Sequence, residues 1–257
     1  MSYLTPQDQY VHSVVARKAP LFLGAGSLDP VANIIREWAT QYLLEIKLSG
    51  SYVKGTAVAG SADADIFISL NQSVLCGRTP TLETLYNSLA TYFRVKGYTV
   101  KLQNVSLGVE HAGIHVDLVP AVKHPGNTND HSLYRRKKNS WTKTNIDKHI
   151  DHVKNSGRAT EIRAAKIWRN LHNLDISSFY LELVVLEALK GKSLTAVADN
   201  FLSVLDYLKT TFVFATIIDP ANSANKISDE LSIAERQAIA NKAKASRAQP
   251  NWGTIIW

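Results

Sequence analysis

The chain has 257 residues, of which 45% are hydrophobic and 20% charged, and its formal net charge is +7 at pH 7. This composition excludes a disordered or fibrous protein, and the length suits one large domain or two small ones. The positive charge favours an anionic partner, but it does not choose between a triphosphate and a nucleic acid.

No apolar run approaches the roughly 20 residues that a membrane-spanning helix needs. Residues 1–6 also lack the basic and apolar regions of a signal peptide. We therefore expect a cytoplasmic protein with no membrane partner. Cys76 is the only cysteine, which excludes an internal disulfide, and we expect no disulfide-bonded partner.

The first predicted helix starts at Asp29, which is interpreted as an N-cap residue because a proline follows it. Apolar residues recur at helical spacing as far as Leu43. This spacing predicts a helix of about 16 residues, which leads into a strand from Ile46 to Ser49. A second helix is predicted to start at Thr79-Pro80 and to stop at Gly97.

Alternation from Tyr98 to Val122, interrupted near Gly108 and at Ala112-Gly113, predicts two or three antiparallel strands of a meander. Residues 123–143 are polar and basic, contain the charge run 135–138, and are predicted to form a crossover loop. Helical periodicity dominates beyond this loop, as in a helical bundle. The elements therefore predict an α+β protein with a mixed-sheet lobe, a helical lobe and a site in the cleft between them.

The most informative motif begins with Gly50 and Ser51, a turn of small residues that exposes backbone N–H groups. Asp63 and Asp65 follow and open an apolar stretch. Residues two apart on a strand point to the same face, where like charges repel unless a cation lies between them. Because Mg²⁺ is usually held by carboxylates together with substrate phosphates, the motif predicts a metal-bound nucleoside triphosphate.

A third acid, Asp117, lies in the apolar run 114–120, and alternation places it on the face away from its apolar neighbours. An isolated Asp-x-Asp is also common on solvent-facing strands. Its combination with the Gly-Ser turn and a later Asp favours catalysis by two ions about 4 Å apart, which clamp the attacking and leaving oxygens. We predict that Asp63, Asp65 and Asp117 are catalytic and bind two Mg²⁺ ions, with Mn²⁺ as an alternative.

These segments resemble the signature of the DNA polymerase beta-like nucleotidyltransferases: Gly50-Ser51, Lys54-Gly55-Thr56, Asp63-Ala64-Asp65 and residues 115–120. Two branches of that superfamily are similar. One contains the oligoadenylate synthases, cyclic GMP-AMP synthase and the bacterial CD-NTases, and the other contains the archaeal-type CCA-adding enzymes. The resemblance implies a palm-like nucleotidyltransferase lobe in residues 1–125 and a helical C-terminal lobe in residues 126–257.

The resemblance also implies nucleotide-binding residues. Gly50 and Ser51 would hold the β- and γ-phosphates, Lys166 and Ser178 would contact phosphate from the helical lobe, and Phe179 would stack on the donor base. Without the family, Lys166 is interpreted as a snorkelling surface lysine, and Ser178 as part of a helix cap near Asp175. Lys54 is a further candidate nucleotide contact, although a loop lysine is as often merely solvated.

The leading hypothesis is a CD-NTase-like enzyme that joins nucleoside triphosphates into a cyclic or linear second messenger in antiphage signalling and releases pyrophosphate. ATP is the first candidate substrate, with GTP or others as alternatives. Residues 214–225 resemble an Asp-Pro and later Asn pattern of the first branch. The alternatives are nucleotide addition to an RNA end and a catalytically idle nucleotide- or RNA-binding module. The charge run 135–138 is either a solvated loop or a contact for an acceptor or activating nucleic acid.

Overall fold

The computed structural model describes residues 4–20, 22–60, 63–76 and 81–257. The helices in these residues are α1 (Pro6–Arg17), α2 (Asp29–Ala39), α3 (Gly50–Lys54), α4 (Leu82–Val95), α5 (Ile146–Lys154), α6 (Ala159–Leu171), α7 (Ser178–Ala188), α8 (Val197–Thr210), α9 (Ile233–Arg247) and α10 (Trp252–Ile255). The strands are β1 (Leu43–Ser49), β2 (Ala64–Leu70), β3 (Lys101–Leu102), β4 (Leu107–His111), β5 (Ile114–Lys123), β6 (His131–Arg135), β7 (Ser140–Thr144), β8 (Ile218–Asp219) and β9 (Asn222–Lys226).

The described residues divide into two compact units, which we treat one at a time. The sheet unit comprises residues within 22–53 and 62–150, and the helical unit comprises those within 1–21, 54–61 and 151–257. The sequence predicted a single boundary after residue 125. The polar segment beyond that residue instead continues the sheet, and two earlier segments pack with the helices. A mixed sheet followed by a helical region confirms the predicted α+β fold class.

Parallel pairing of β2 with β5 lies at the centre of the sheet unit. The strand order is β1-β2-β5-β4-β3, and β6 pairs with both β5 and β7. The other pairs in this sheet are antiparallel, whereas β2 and β5 run in the same direction. A parallel pair needs a long crossover connection, and the chain between these two strands supplies it with α4, β3 and β4.

The two faces of this sheet have different roles. Ile68 of β2 and Leu118 of β5 are fully buried on one face and belong to the same core as Phe93 of α4. Side chains alternate along a strand, so the opposite face of these two strands carries Asp65 and Asp117. The alternation predicted for the second apolar strand is confirmed.

The first predicted helix is shorter than its apolar spacing indicated. α2 has 11 residues, and its N-cap residue is Leu28 rather than Asp29, with no side-chain hydrogen bond at the cap. Thr40 has a φ of 49°, a conformation that a helix cannot continue, and a short 3-10 turn follows. Leu43, which fitted the helical spacing, therefore begins β1.

The second predicted helix is confirmed as α4. Its N-cap residue is Thr81, whose hydroxyl oxygen accepts a hydrogen bond from the N–H of Thr84 in a capping box. The predicted start at Thr79-Pro80 lies outside the described residues. Gly97 has a φ of 90°, a left-handed conformation that favours glycine, and it follows the helix end as predicted.

The predicted meander is confirmed as β3, β4 and β5, but Gly108 lies within β4 rather than at a break. A Cβ at this glycine would lie 2.9 Å from the Gln103 amide nitrogen, so the glycine allows a close approach and does not form a turn. The turn between β4 and β5 is Ala112-Gly113, where both residues have positive φ.

The predicted crossover loop over residues 123–143 contains the antiparallel hairpin of β6 and β7. Its polar composition concealed the strands. Leu133 and Tyr134 are nevertheless buried, and Asn139 adopts the left-handed conformation that reverses the chain. The charge run 135–138 therefore lies at the end of β6 and in a 3-10 turn.

The core of the helical unit lies among α6, α7 and α8, whose Trp168, Tyr180 and Phe201 are fully buried. This unit confirms the helical periodicity seen in the second half of the sequence. Within the part of the chain that the structure describes, no helix has the length and apolar character needed to cross a membrane.

α1 was not predicted from the sequence. Val11 and Val14 of this helix are fully buried in the core of the helical unit. The Asp8 carboxylate accepts a hydrogen bond from the N–H of Ala198 at 2.8 Å, in the first turn of α8, where backbone N–H groups lack intrahelical partners. These contacts place the start of the chain with its second half.

We expect Phe93→Ala to lower the free energy of unfolding by about 3–5 kcal/mol, because it removes a fully buried ring and leaves a cavity in the sheet unit. Urea unfolding followed by circular dichroism measures this loss. Val95→Ala is the matched control on the same helix, since Val95 is 79% exposed and should change stability by less than about 0.5 kcal/mol. Equal losses in the two variants would contradict the assigned core.

Candidate active site

Asp65 and Asp117 occupy neighbouring strands at the same level. They are register partners in the parallel pair of β2 and β5, and both side chains are half-buried. Asp63 directly precedes β2, and it lines an open cavity of about 400 Å³ together with Asp117. The structure therefore brings the three predicted acids to one part of the sheet unit.

The surroundings of Asp117 disfavour its negative charge. Burial raises the pKa of this carboxyl group and the charge of Asp63 raises it further, although hydrogen bonds from Ser106 and Gln103 oppose the rise. Burial also raises the pKa of Tyr52, again with a contribution from Asp63. A cation among the acids would relieve this accumulation of negative charge.

The donor set fits a hard divalent cation, because carboxylate oxygens are the ligands that Mg²⁺ prefers. Within the described ranges, however, no three His, Cys, Asp or Glu side chains converge as the ligands of one ion. Asp117 accepts a hydrogen bond from Gln103 Nε2 at 2.8 Å, and Ser106 Oγ lies 3.3 Å from its other oxygen. The chemistry of the acids thus suits magnesium, and their arrangement around ions stays a prediction.

Gly50 is required by its contact with Asp65. Its φ is 67°, and a Cβ at this position would lie 1.7 Å from Asp65 Oδ2. Ser51 follows as the second residue of α3 and is half-buried. The Gly-Ser turn therefore packs directly against the acidic strand, as expected if both serve one site.

Lys54 and Lys166 share a buried carboxylate that the sequence did not identify. Glu182 Oε2 accepts a hydrogen bond from Lys54 Nζ at 2.5 Å, and Glu182 Oε1 accepts one from Lys166 Nζ at 2.7 Å. Thr56 Oγ1 donates to the same Oε1 at 2.7 Å. Lys54 and Lys166 are only 8% and 1% exposed, so neither is the solvated surface lysine that the sequence alone allowed.

Glu182 interrupts an otherwise apolar helical run from Tyr180 to Val185, in which every residue is buried. A carboxylate in such a run needs a buried partner, and this signal was present in the sequence. Burial opposes its ionisation, but Lys166 and Lys54 outweigh burial and lower the pKa of Glu182. Its partners lie 16 and 128 residues away in the chain, so only the fold could name them.

Ser178 and Phe179 open α7 beside this cluster. The N-cap residue is Ser177, two residues after Asp175, and its hydroxyl oxygen accepts a hydrogen bond from the N–H of Tyr180 at 3.2 Å. Ser178 Oγ accepts a hydrogen bond from Arg169 Nη1 at 3.0 Å. Lys54 Nζ lies 5.2 Å from the ring centre of Phe179. The predicted helical-lobe residues and Lys54 are therefore neighbours within the helical unit.

Replacing Gly50 by alanine should displace the Asp65 side chain and destabilise the protein beyond the effect of backbone strain alone. Gly60→Ala is the control, because Gly60 also has a positive φ of 78° but nothing lies within 4 Å of its added Cβ. Strain should cost about 1–2 kcal/mol in both variants, and overpacking should add about 1–3 kcal/mol at Gly50. Chemical denaturation compares the two, and equal losses would contradict the contact.

Glu182→Gln should lower the free energy of unfolding by about 3–5 kcal/mol at neutral pH, because two buried ammonium groups lose their counter-charge. The folded state lowers the pKa of Glu182 below its ordinary 4.5. Its ionic contribution is therefore complete above pH 4.5 and is lost as the pH falls through the folded pKa.

The stability difference between wild type and Glu182→Gln should therefore stay constant between about pH 5 and 7 and shrink in more acidic buffer. Glu187→Gln supplies the matched control on the same helix, since Glu187 pairs with Lys190 at the surface and should contribute little. A difference that grows on acidification would refute the assigned ion pairs.

Comparison with known proteins gives the family of the chain. Residues 32–178, more than half of the sequence, match the Second Messenger Oligonucleotide or Dinucleotide Synthetase domain, abbreviated SMODS. Two curated relatives from Escherichia coli are also similar. The CBASS oligonucleotide cyclase CdnC of strain KTE188 is 23% identical, over 80% of this chain and 76% of the relative. The cyclic AMP-AMP-AMP synthase of strain MS 115-1 is 26% identical, over 81% of this chain and 71% of the relative.

A solved structure shows the same fold. E. coli MS115-1 CdnC with ATP superposes with a TM-score of 0.71 at 22% identity and covers 95% of this chain and 94% of its own. Both the sequence match and the fold agree with the resemblance found in the motifs. The chain therefore belongs to the second messenger oligonucleotide or dinucleotide synthetase family, the CD-NTase nucleotidyltransferases.

Proposed function

We propose that this protein joins nucleoside triphosphates into a cyclic or linear oligonucleotide second messenger and releases pyrophosphate. The observation that carries the proposal is the register pairing of Asp65 with Asp117, with Asp63 one residue before the same strand. Family membership supports the reaction class. Similarity to the CBASS oligonucleotide cyclase CdnC supports a role in antiphage signalling.

Asp63, Asp65 and Asp117 are proposed to hold two divalent ions, with Mg²⁺ as the physiological metal and Mn²⁺ as a substitute. Bound there, the metal would neutralise phosphate charge and lower the pKa of the attacking hydroxyl group. The chain itself provides a face of the sheet on which these carboxylates stand away from the apolar core. The position of Asp63 and Asp117 on one cavity supports this assignment, because neighbouring carboxylates repel and favour a cation between them.

Gly50 and Ser51 are proposed to hold the β- and γ-phosphates, and Phe179 is proposed to stack on the donor base. In the helical unit, two ammonium groups, those of Lys54 and Lys166, pair with the single carboxylate of Glu182. This excess of buried positive charge favours a triphosphate electrostatically.

The proposed phosphate contacts of the helical unit need specific rearrangements. Lys166 is 1% exposed, and its ammonium group donates to Glu182 and Thr56. Contact with a phosphate therefore requires this buried group to become accessible. Ser178 Oγ already accepts a hydrogen bond from Arg169, and its own hydroxyl hydrogen can still be donated to a phosphate. The location of the site in a cleft between the two lobes stays a prediction.

ATP is the first substrate to test, with GTP and the other triphosphates beside it, because solved CD-NTases are described with ATP and with GTP. The alternatives are addition of nucleotides to an RNA end and nucleotide or RNA binding without catalysis. The charge run 135–138 is largely exposed, as either a nucleic-acid contact or a solvated turn would be.

Incubation with Mg²⁺ and all four labelled triphosphates, with and without RNA, should yield small phosphatase-resistant products whose masses identify the nucleotides joined. Lengthened RNA would support the second reaction, and no turnover would support the idle module. Chelation of the metal should abolish the products, because the three acids are proposed to act through it.

Asp63→Ala, Asp65→Asn and Asp117→Asn should each reduce product formation by at least about 100-fold, since each removes a carboxylate proposed to bind metal. Asp29→Asn is the control. Its carboxylate is exposed in the first turn of α2 and lies outside the acid cluster. Activity retained in all three acid variants would sink the proposed mechanism, and circular dichroism would verify that each variant is folded.

A further inference from the structure

The loop between β3 and β4 contacts the carboxylate of Asp117 with two side chains. Gln103 Nε2 donates a hydrogen bond to Oδ1 at 2.8 Å. Ser106 Oγ lies 2.9 Å from Gln103 Oε1 and 3.3 Å from Asp117 Oδ2. A serine hydroxyl has one hydrogen to donate, and the shorter distance favours the glutamine oxygen.

This arrangement fixes the orientation of the glutamine amide. The hydroxyl hydrogen of Ser106 satisfies Gln103 Oε1, so the NH₂ end of the amide faces Asp117, where a carboxylate needs donors. Ser106 is 6% exposed, so it has few other partners to choose from. The reversed amide would place its oxygen against the oxygen of Asp117 and its NH₂ group against the hydroxyl of Ser106.

The backbone of the loop is held by parts of the sheet unit that do not contact Asp117. The hydroxyl of Tyr86, which is fully buried, lies 2.9 Å from the carbonyl oxygens of both Gln103 and Ser106. Arg136 Nε donates to the carbonyl oxygen of Gln103 at 3.0 Å. The fold therefore places the glutamine before any substrate or ion binds.

Gly108 provides the room for this contact. It is the register partner of Asp117 in the pair of β4 and β5. A Cβ there would lie 2.9 Å from Gln103 Nε2 and 3.4 Å from Asp117 Oδ1. Gly108 does not have the left-handed φ that favours glycine, so the backbone itself does not demand glycine here. A larger residue at this position would displace the side chain of Gln103 from Asp117, which explains the glycine.

We propose that Gln103 and Ser106 are positioning residues for Asp117, which rests on the proposed function in which Asp117 binds a divalent ion. Ser106 orients Gln103, and the hydrogen bond from Gln103 fixes the rotation of the carboxylate and leaves its other lone pairs for metal. An amide is a neutral donor, so it orients Asp117 without cancelling the charge that a cation needs. A lysine in its place would compete with the cation. Partners of metal ligands act in this way in many sites.

The test compares Gln103→Ala and Ser106→Ala with Asn104→Ala as a matched control. Asn104 belongs to the same loop, but its side chain accepts a hydrogen bond from the N–H of Lys137. Binding of Mn²⁺ in the presence of ATP, followed by electron paramagnetic resonance of the free ion, gives a readout independent of turnover. We expect the Gln103 and Ser106 variants to bind Mn²⁺ about 10- to 100-fold more weakly. Asn104→Ala should match the wild type.

Steady-state kinetics supply the second readout. In Gln103→Ala the Mg²⁺ concentration needed for half-maximal rate should rise by about 10-fold, while the KM for ATP at saturating Mg²⁺ should stay unchanged. Ser106→Thr retains the hydroxyl group and should recover most of what Ser106→Ala loses. This rescue also separates loss of the hydrogen bond from a general disturbance of the loop.

Gly108→Ala tests the same contact from the other side. The added methyl group should push the flexible end of Gln103 away and weaken Mn²⁺ binding, although Gln103 and Asp117 are both intact. Adding Gly108→Ala to Gln103→Ala should cost less than the sum of the two single effects, because both disturb one hydrogen bond.

Three results would overturn the inference. Mn²⁺ binding in Gln103→Ala equal to that of Asn104→Ala would show that the glutamine does not act on the metal site. A raised KM for ATP with unchanged Mn²⁺ binding would assign Gln103 to the substrate instead. A wild-type protein that makes no product and binds no Mn²⁺ would contradict the proposed function itself. An active wild type, with Gln103 and Ser106 variants that bind Mn²⁺ as it does, would contradict only the positioning role.

Discussion

The parallel pairing of β2 with β5 is the constraint on which the candidate site depends. Their register places Asp65 beside Asp117, and the apolar residues that alternate with these acids pack into the core on the other face. A slip of one residue would turn the apolar side chains that face this core, such as Ile68 and Leu118, out of it. The core therefore fixes the position of the acids. Hydrophobic packing keeps the two carboxylates close together although their charges repel.

The helical unit carries buried positive charge, in contrast to the acids of the sheet unit. Lys54 and Lys166 both bind Glu182. Burial lowers the pKa of Arg169, and the charge of Glu182 partly opposes that shift. Arg169 donates in turn to Ser178 at the start of α7. A buried ion pair contributes little net stability by itself, since desolvation offsets the attraction. Here the ion pairs have a geometric role, because they attach Lys54 and Thr56 to α6 and α7 and leave an excess of positive charge.

The sequence was sufficient where a pattern is local. Alternation around Asp117 predicted its face, and the run from Gly50 to Asp65 predicted that a tight turn and acids belong together. Prediction was wrong where tertiary contacts override composition. The polar segment 123–143 forms a hairpin because a few buried residues, Leu133 among them, pack against the rest of the sheet. α1 has a short apolar stripe, which is buried only by helices more than 140 residues away in the chain.

The partners of the site residues could not be predicted for a related reason. Glu182 and Gln103 are ordinary polar residues in the sequence, and neither belongs to a motif. Each becomes informative only when the fold brings it to a charged group, Glu182 to Lys54 and Gln103 to Asp117. Glu182 at least stood out by its apolar neighbours, whereas Gln103 lies in a polar loop and gave no signal.

The placement of α1 has a consequence for the order in which the protein is built. Tyr10 of α1 donates a hydrogen bond to the carbonyl oxygen of Ile256 at 3.0 Å, so the helical unit joins residues from opposite ends of the sequence. Domains generally fold as units during synthesis, with earlier segments first. The sheet unit is nearly continuous in sequence and can therefore fold first on the ribosome. During that time the valines of α1 are exposed, because the helices that cover them have not yet been synthesised.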